Sequence, residues 1–267
     1  MDGRARVRGI EMVYTERGQA NDSAPIVLLH GFPLNRAMWD AQAAALSRFY
    51  RFVAPDLRGH GETSVTEGAA TMEEMARDLS ALLDELGIGS VVLGGLSMGG
   101  YVAFAFYTLF PERVRALVLA DTRAQSDNEE GRRTREETAQ RALAEGMEFI
   151  AETMLPKLLA PTTPHEQPET AARVRQMILS MKPAGAAAAL RGMAVRADQT
   201  ALLQRIHVPT LIIVGDRDAV TPRADAEKMH ASIAGSRLEV IEGAGHVSNM
   251  ERPAEFNRAL ESFLRAL

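Results

Sequence analysis

Five short stretches of the chain are apolar at every position: Pro25–Leu29, Phe52–Ala54, Val91–Leu93, Ala116–Leu119 and Leu211–Val214. A strand with one face in water alternates apolar and polar residues. Runs that are apolar on both faces therefore predict parallel strands buried between two layers of helices. Residues 237–242 (Arg-Leu-Glu-Val-Ile-Glu) alternate more, which predicts a last strand near a sheet edge. The opening segment, residues 4–17, reads as an antiparallel β-ribbon turned near Gly9. Helical patterns lie between these runs. Thr71-Met72-Glu73-Glu74 is a capping box, and the stripe Met72, Met75, Leu79, Leu82, Leu83, Leu86 that follows has helical spacing until Gly87 stops it. Pro253 opens a final helix with Phe256, Leu260, Phe263 and Leu264 on one face.

The alternation of strand and helix breaks between Arg123 and Thr200. Helices are predicted over Thr134–Ala144, Glu145–Ala160, Pro168–Met181 and Ala184–Ala197, punctuated by Pro161, Pro164, Pro168 and Pro183. A helical block between two strands of one sheet predicts an insertion. The expected organisation is a core of residues 1–122 and 201–267 with a helical cap of residues 123–200. The stripe Met147, Ile150, Met154, Leu155, Leu158 is expected to pack onto the core.

Composition narrows the function. The 267 residues suffice for one large domain or a core with a small insertion, and 46% hydrophobic with 24% charged residues is a soluble, globular balance. A net charge of −5 offers no electrostatic footprint for nucleic acid or an anionic membrane. With no cysteine, disulfides, thiolate catalysis and Cys-based metal sites are excluded. Residues 1–9 are polar and arginine-rich, without the apolar stretch of a signal peptide, and no run approaches the ~18 apolar residues of a membrane span. The expectation is a cytoplasmic protein.

The chemistry begins after Val91–Leu93, where residues 94–100 read Gly-Gly-Leu-Ser-Met-Gly-Gly. Strand, sharp turn and helix around G-x-S-x-G form the context of a nucleophile elbow. Gly95 and Gly99 are required because a Cβ at either would strike the neighbouring strand or helix, and Ser97 itself should be conformationally strained. Serine needs a general base, and the base an orienting acid. His246 is the candidate base, in the glycine-rich loop Glu242-Gly243-Ala244-Gly245-His246 after the last strand. His30 and His60 also follow strands, but fit the role of holding loop geometry by hydrogen bonds. For the acid, Asp218 in Gly215-Asp216-Arg217-Asp218 is favoured over Asp216, which suits capping the loop or pairing with Arg217. Asp121, just past Ala116–Ala120, is a rival acid. No nearby ligand completes a metal site at Asp216 and Asp218. The backbone N–H groups of Met98, after the nucleophile, and Phe32, in His30-Gly31-Phe32-Pro33, are the candidate oxyanion donors. Phe32 and Trp39 are candidates to line an acyl pocket, with a packing role equally open to Trp39.

Over nearly its whole length the chain resembles the α/β-hydrolase superfamily. The residues that carry the resemblance are His30-Gly31-Phe32, Asp56-Leu57-Arg58-Gly59-His60-Gly61, Gly95-Leu96-Ser97-Met98-Gly99, Gly215-Asp216-Arg217-Asp218 and Gly245-His246, with nucleophile, acid and base in the order Ser97, Asp218, His246. The resemblance implies a mostly parallel eight-stranded sheet flanked by helices, with a lid inserted after the sixth strand. It looks like small carboxylesterases, 3-oxoadipate enol-lactonases and cofactor-free haloperoxidase-like perhydrolases. A serine rather than an aspartate nucleophile argues against dehalogenases and epoxide hydrolases, and the missing His-Gly-Gly-Gly motif against the hormone-sensitive-lipase type. The expected function is hydrolysis of a small-molecule carboxylic ester, without metal or organic cofactor. Lactone hydrolysis, C–C bond hydrolysis and perhydrolysis share the same triad. A non-catalytic ligand-binding receptor is the alternative from another class. Oligomeric state is left open.

Overall fold

The computed structural model describes residues 2–19 and 23–267, so Met1 and residues 20–22 of the expected core lie outside the described residues. β1 (Asp2–Val7) and β2 (Ile10–Arg17) form the antiparallel ribbon. Arg8 and Gly9 between them both have positive φ, 48° and 83°, which suits the tight hairpin turns whose twist matches that of the strands. The continuous apolar runs become β3 (Ile26–Leu29), β4 (Phe52–Pro55), β5 (Val91–Leu96), β6 (Val114–Ala120) and β7 (Thr210–Gly215), and the alternating run becomes β8 (Arg237–Ile241).

Among the described residues these form one eight-stranded sheet in the order β1-β2-β4-β3-β5-β6-β7-β8. β2 runs antiparallel to both neighbours, and every later pair is parallel. All residues of β3, β4, β5 and β7 are buried, whereas β8 at the edge is mostly half-buried. That contrast is the physical source of the two hydropathy patterns. The chain steps outward from β3 to β4, then crosses back to place β5 on the other side of β3. The carboxyl ends of β3 and β5 thus flank a topological switch point, where open α/β sheets leave a crevice.

α1 (Asp40–Leu46), α2 (Met72–Glu85) and α3 (Met98–Leu109) connect the early strands. The capping box of α2 forms: Thr71 Oγ1 accepts the Glu74 N–H at 3.2 Å, and Glu74 Oε2 accepts the Thr71 N–H at 3.3 Å. Its buried face includes Met72, Met75, Leu79, Leu82 and Leu83, and Gly87 follows at φ 64°.

Between β6 and β7 the chain is helical: α4 (Glu129–Glu145), α5 (Met147–Leu158), α6 (Thr163–Glu166), α7 (Pro168–Ser180), α8 (Pro183–Ala194) and α9 (Thr200–Leu203). α4 starts at Glu129 rather than Thr134 because Asn128 accepts the Gly131 N–H at 2.8 Å and caps it there. Gly146, at φ 82°, separates α4 from α5. Met147, Ile150 and Leu158 are buried, and Met154 and Leu155 pack half-buried against the same core. The segments that leave and re-enter the sheet run side by side. Asp198 Oδ2 accepts the Ser126 N–H at 3.1 Å, the Ala124 carbonyl accepts the Gln199 N–H at 2.9 Å, and Arg196 donates to the Gln125 carbonyl at 2.9 Å. α10 (Arg223–Ser232), α11 (Ser248–Glu251) and α12 (Pro253–Leu264) complete the chain, with Phe256, Leu260, Phe263 and Leu264 of α12 buried. Among the described residues no helix is long and apolar enough to cross a membrane.

Candidate active site

Ser97 stands between β5 and α3 with φ 55° and ψ −114°, a conformation unfavourable for a residue with a Cβ. The surroundings hold it there. Its N–H reaches the Ala120 carbonyl at 3.0 Å, and its carbonyl accepts the Thr122 hydroxyl at 2.8 Å. A Cβ at Gly95 would collide with the Gly99 carbonyl, and one at Gly99 with the carbonyl of Leu29, so both glycines are sterically obligatory. The turn presents Ser97 at the start of α3, where the first amides of a helix have no intrahelical acceptor. Met98 is the first residue of that helix.

The loop after β3 lies against the serine. A Cβ built on Gly31 would be 3.3 Å from Ser97 Cβ, so the backbone leading into Phe32 passes directly beside the nucleophile candidate. Phe32 is buried, its ring set edge-on to that of His60 at 6.2 Å. His30 fixes this loop as a neutral ring: Nε2 accepts the Leu57 N–H at 2.9 Å, and Nδ1 faces the Gly31 carbonyl at 3.0 Å. His60 Nδ1 likewise lies 3.0 Å from the Arg58 carbonyl. Both rings hold loop geometry, as their positions after strands suggested. Trp39 is buried, with its ring 6.0 Å from that of Phe256 in α12.

His246 and Asp218 meet across the ends of β7 and β8. His246 Nδ1 is 2.8 Å from Asp218 Oδ2, both side chains buried. Donation from Nδ1–H to the carboxylate leaves Nε2 of the neutral ring with a free lone pair. Asp218 is itself held by the N–H groups of Val220 (2.8 Å) and Thr221 (2.9 Å) and by the Thr221 hydroxyl (2.7 Å). Burial opposes its charge, but the His246 ring and the bonds from Thr221 outweigh it and hold the carboxyl below the ordinary range. Thr221 escaped the sequence reading, although a hydroxyl three residues after an aspartate in a loop is a recognisable turn signal. Asp216 does both things expected of it, accepting the Gly243 N–H at 2.7 Å and pairing with Arg217 at 3.4 Å.

Asp121 is also at the sheet's carboxyl edge but is turned elsewhere. Its Oδ1 accepts the Gly215 N–H at 2.8 Å, and its Oδ2 is 2.5 Å from Ser248 Oγ. Complete burial, and then the nearby Asp218 charge, push its carboxyl well above the ordinary range. The helical block reaches this edge as well, since the Leu158 carbonyl accepts the His246 N–H at 2.9 Å.

A family model described as the α/β hydrolase fold matches residues 24–253. The chain belongs to the α/β-hydrolase family. A 3-oxoadipate enol-lactonase of Acinetobacter baylyi is 32% identical over 256 residues, 96% of this chain and 94% of that relative. Among solved structures, a thermophilic esterase from Thermogutta terrifontis, determined with malate bound, is 44% identical with a TM-score of 0.95, covering 100% of this chain and 98% of that one. An enol-lactonase from Burkholderia xenovorans is 30% identical with a TM-score of 0.91, covering 98% and 100%. This α/β-hydrolase chain is thus a member of a hydrolase family, similar throughout its length to both esterases and lactonases.

Proposed function

We propose that this protein is a serine hydrolase that cleaves small carboxylic esters, short-chain ones in particular, through an acyl-enzyme on Ser97. His246 Nε2 takes the proton from Ser97 Oγ as the oxygen attacks the ester carbonyl. The proton then passes to the departing alcohol, and water repeats the cycle on the acyl group. Asp218 fixes the imidazole tautomer and stabilises the imidazolium. The Phe32 and Met98 amides receive the oxyanion, each contributing roughly 3 kcal/mol to the transition state. The helical block serves as a lid over these strand ends. The observation that carries the reading is the 2.8 Å bond between His246 and Asp218, on loops that share the sheet edge with a serine held at φ 55°. Similarity to the Thermogutta terrifontis esterase supports the ester as substrate. Similarity to the Acinetobacter baylyi enol-lactonase favours a second reading, a lactone opened by the same attack.

The test is hydrolysis of p-nitrophenyl acetate, butyrate, octanoate and palmitate by the wild type and Ser97→Ala. Turnover of the short esters is expected, falling by roughly a millionfold in kcat in the variant. Full activity in Ser97→Ala overturns the mechanism. Wild-type turnover of an enol-lactone but of no ester would select the second reading.

A further inference from the structure

The loop that carries His246 is gripped from a side the triad does not use. Glu251, at the end of α11, is only 2% exposed. Its Oε2 accepts the N–H of Gly245, the residue before His246, at 2.7 Å. Its Oε1 accepts the Ala160 N–H at 2.8 Å and the Thr163 hydroxyl at 2.5 Å. One buried carboxylate therefore joins the base loop to the junction between α5 and α6. The contact is close: a Cβ at Gly245 would collide with the Ala160 nitrogen and crowd the Leu159 carbonyl carbon. The Leu158 carbonyl adds a bond from the Val247 N–H at 3.3 Å. Burial pushes the Glu251 carboxyl upward, against the three bonds that favour its charge. A buried carboxylate is tolerated only where its oxygens are satisfied, and here two of the three donors, Ala160 and Thr163, come from the helical block.

We propose that Glu251 is a positioning residue for the base: it sets His246 against Ser97 through the Gly245 amide and makes that setting depend on the helical block through Ala160 and Thr163. The proposal rests on the serine-hydrolase reading, in which His246 acts on Ser97. Misplacement of a reacting group by about 1 Å can cost about a hundredfold in rate. A shift in this loop is therefore felt in turnover before it is felt in substrate affinity.

The experiment compares wild type, Glu251→Gln, Thr163→Val, Thr163→Ser and Ser97→Ala with p-nitrophenyl acetate, recording kcat and KM separately, with a melting temperature for each. The amide of Glu251→Gln must turn its NH2 toward a backbone N–H, so kcat is expected to fall roughly 10- to 100-fold with little change in KM. Thr163→Val keeps the side chain's shape and removes only the hydroxyl on the helical-block side. It should lower kcat severalfold, and Thr163→Ser should restore it. A second readout needs no substrate: the low-field proton NMR signal of the His246 Nδ1–H bonded to Asp218 should shift or broaden in Thr163→Val and return in Thr163→Ser. Wild-type kcat and an unmoved Nδ1–H signal in Thr163→Val, even with a lowered melting temperature, would overturn the proposal and leave Glu251 a structural tie. Ester turnover that survives in Ser97→Ala sinks the serine-hydrolase reading instead. Where the wild type turns over an enol-lactone but no ester, the same kcat comparison is made with the lactone. In either case the NMR comparison still shows whether Glu251 sets the position of His246.

Discussion

Asp121 and Asp218 are two buried aspartates at adjacent strand ends, yet their surroundings push their carboxyls in opposite directions. Asp218 receives bonds from Val220, Thr221 and His246 and is held ionised. Asp121 has the Gly215 N–H and the Ser248 hydroxyl, is fully buried, and is pushed toward its neutral form. An asparagine can copy a neutral aspartic acid: its carbonyl accepts from Gly215, and its NH2 faces the Ser248 hydroxyl, which donates to Asp121 in this structure but can rotate to accept. Asp121→Asn should therefore keep kcat within a few-fold. Asp218→Asn should lose roughly ten-thousandfold, because the amide selects the wrong imidazole tautomer. Equal losses in the two variants would place the orienting acid elsewhere. From the sequence, both residues are aspartates just after an apolar run, so position alone leaves them as rivals. What separates them is which donors face each carboxylate. Glu251 was less legible still, since Ala160 and Thr163, which bond it, are 91 and 88 positions away along the chain.

At the level of elements, the legible parts are those whose burial is periodic. Strands buried on both faces print continuous apolar runs, and α2 carries both a capping box and an apolar stripe. α4 is different. Only Ala139 and Ala142 of its residues are buried, so it offers no stripe, and its start rests on a single Asn128 cap. The β5–α3 turn is the element on which the proposed chemistry depends, and its glycines are fixed by collision rather than by flexibility. Gly99→Ala would drive a methyl into the Leu29 carbonyl. It should destabilise the fold by about 1–3 kcal/mol, as overpacking does, and abolish ester turnover. Denaturant unfolding together with the p-nitrophenyl acetate assay checks both. A variant of wild-type stability would mean that β3 and α3 can separate.

At the scale of the whole molecule, acid should act on the fold through histidines as well as carboxylates. Burial pushes His30 down to about 4 and His60 to about 3, the latter also feeling His30, whose ring is 4.8 Å away. In the unfolded chain both titrate near ~6.5, so between these limits the unfolded state binds more protons. The stability from their neutral burial is complete above about pH 6.5 and is lost as the pH falls toward 4, by about 1.4 kcal/mol per pH unit for each ring. Asp56, Asp121 and Glu251, raised by burial, act in the opposite sense, so a bulk unfolding curve reads the sum. NMR titration isolates the rings: the imidazoles of His30 and His60 should remain neutral at pH 5, and ordinary titration of either would contradict its buried setting.

The paired segments at residues 124–126 and 196–199 have a consequence for how such a protein can change over evolutionary time. The chain departs from the sheet and returns to it at points tied to one another by the Ala124–Gln199, Gln125–Arg196 and Ser126–Asp198 bonds. A segment whose two ends are fastened together can be lengthened, shortened or exchanged without altering the register of any strand. Selection can therefore rework this segment while the loops at the strand ends are inherited intact, provided each replacement offers Glu251 the two donors now supplied by Ala160 and Thr163.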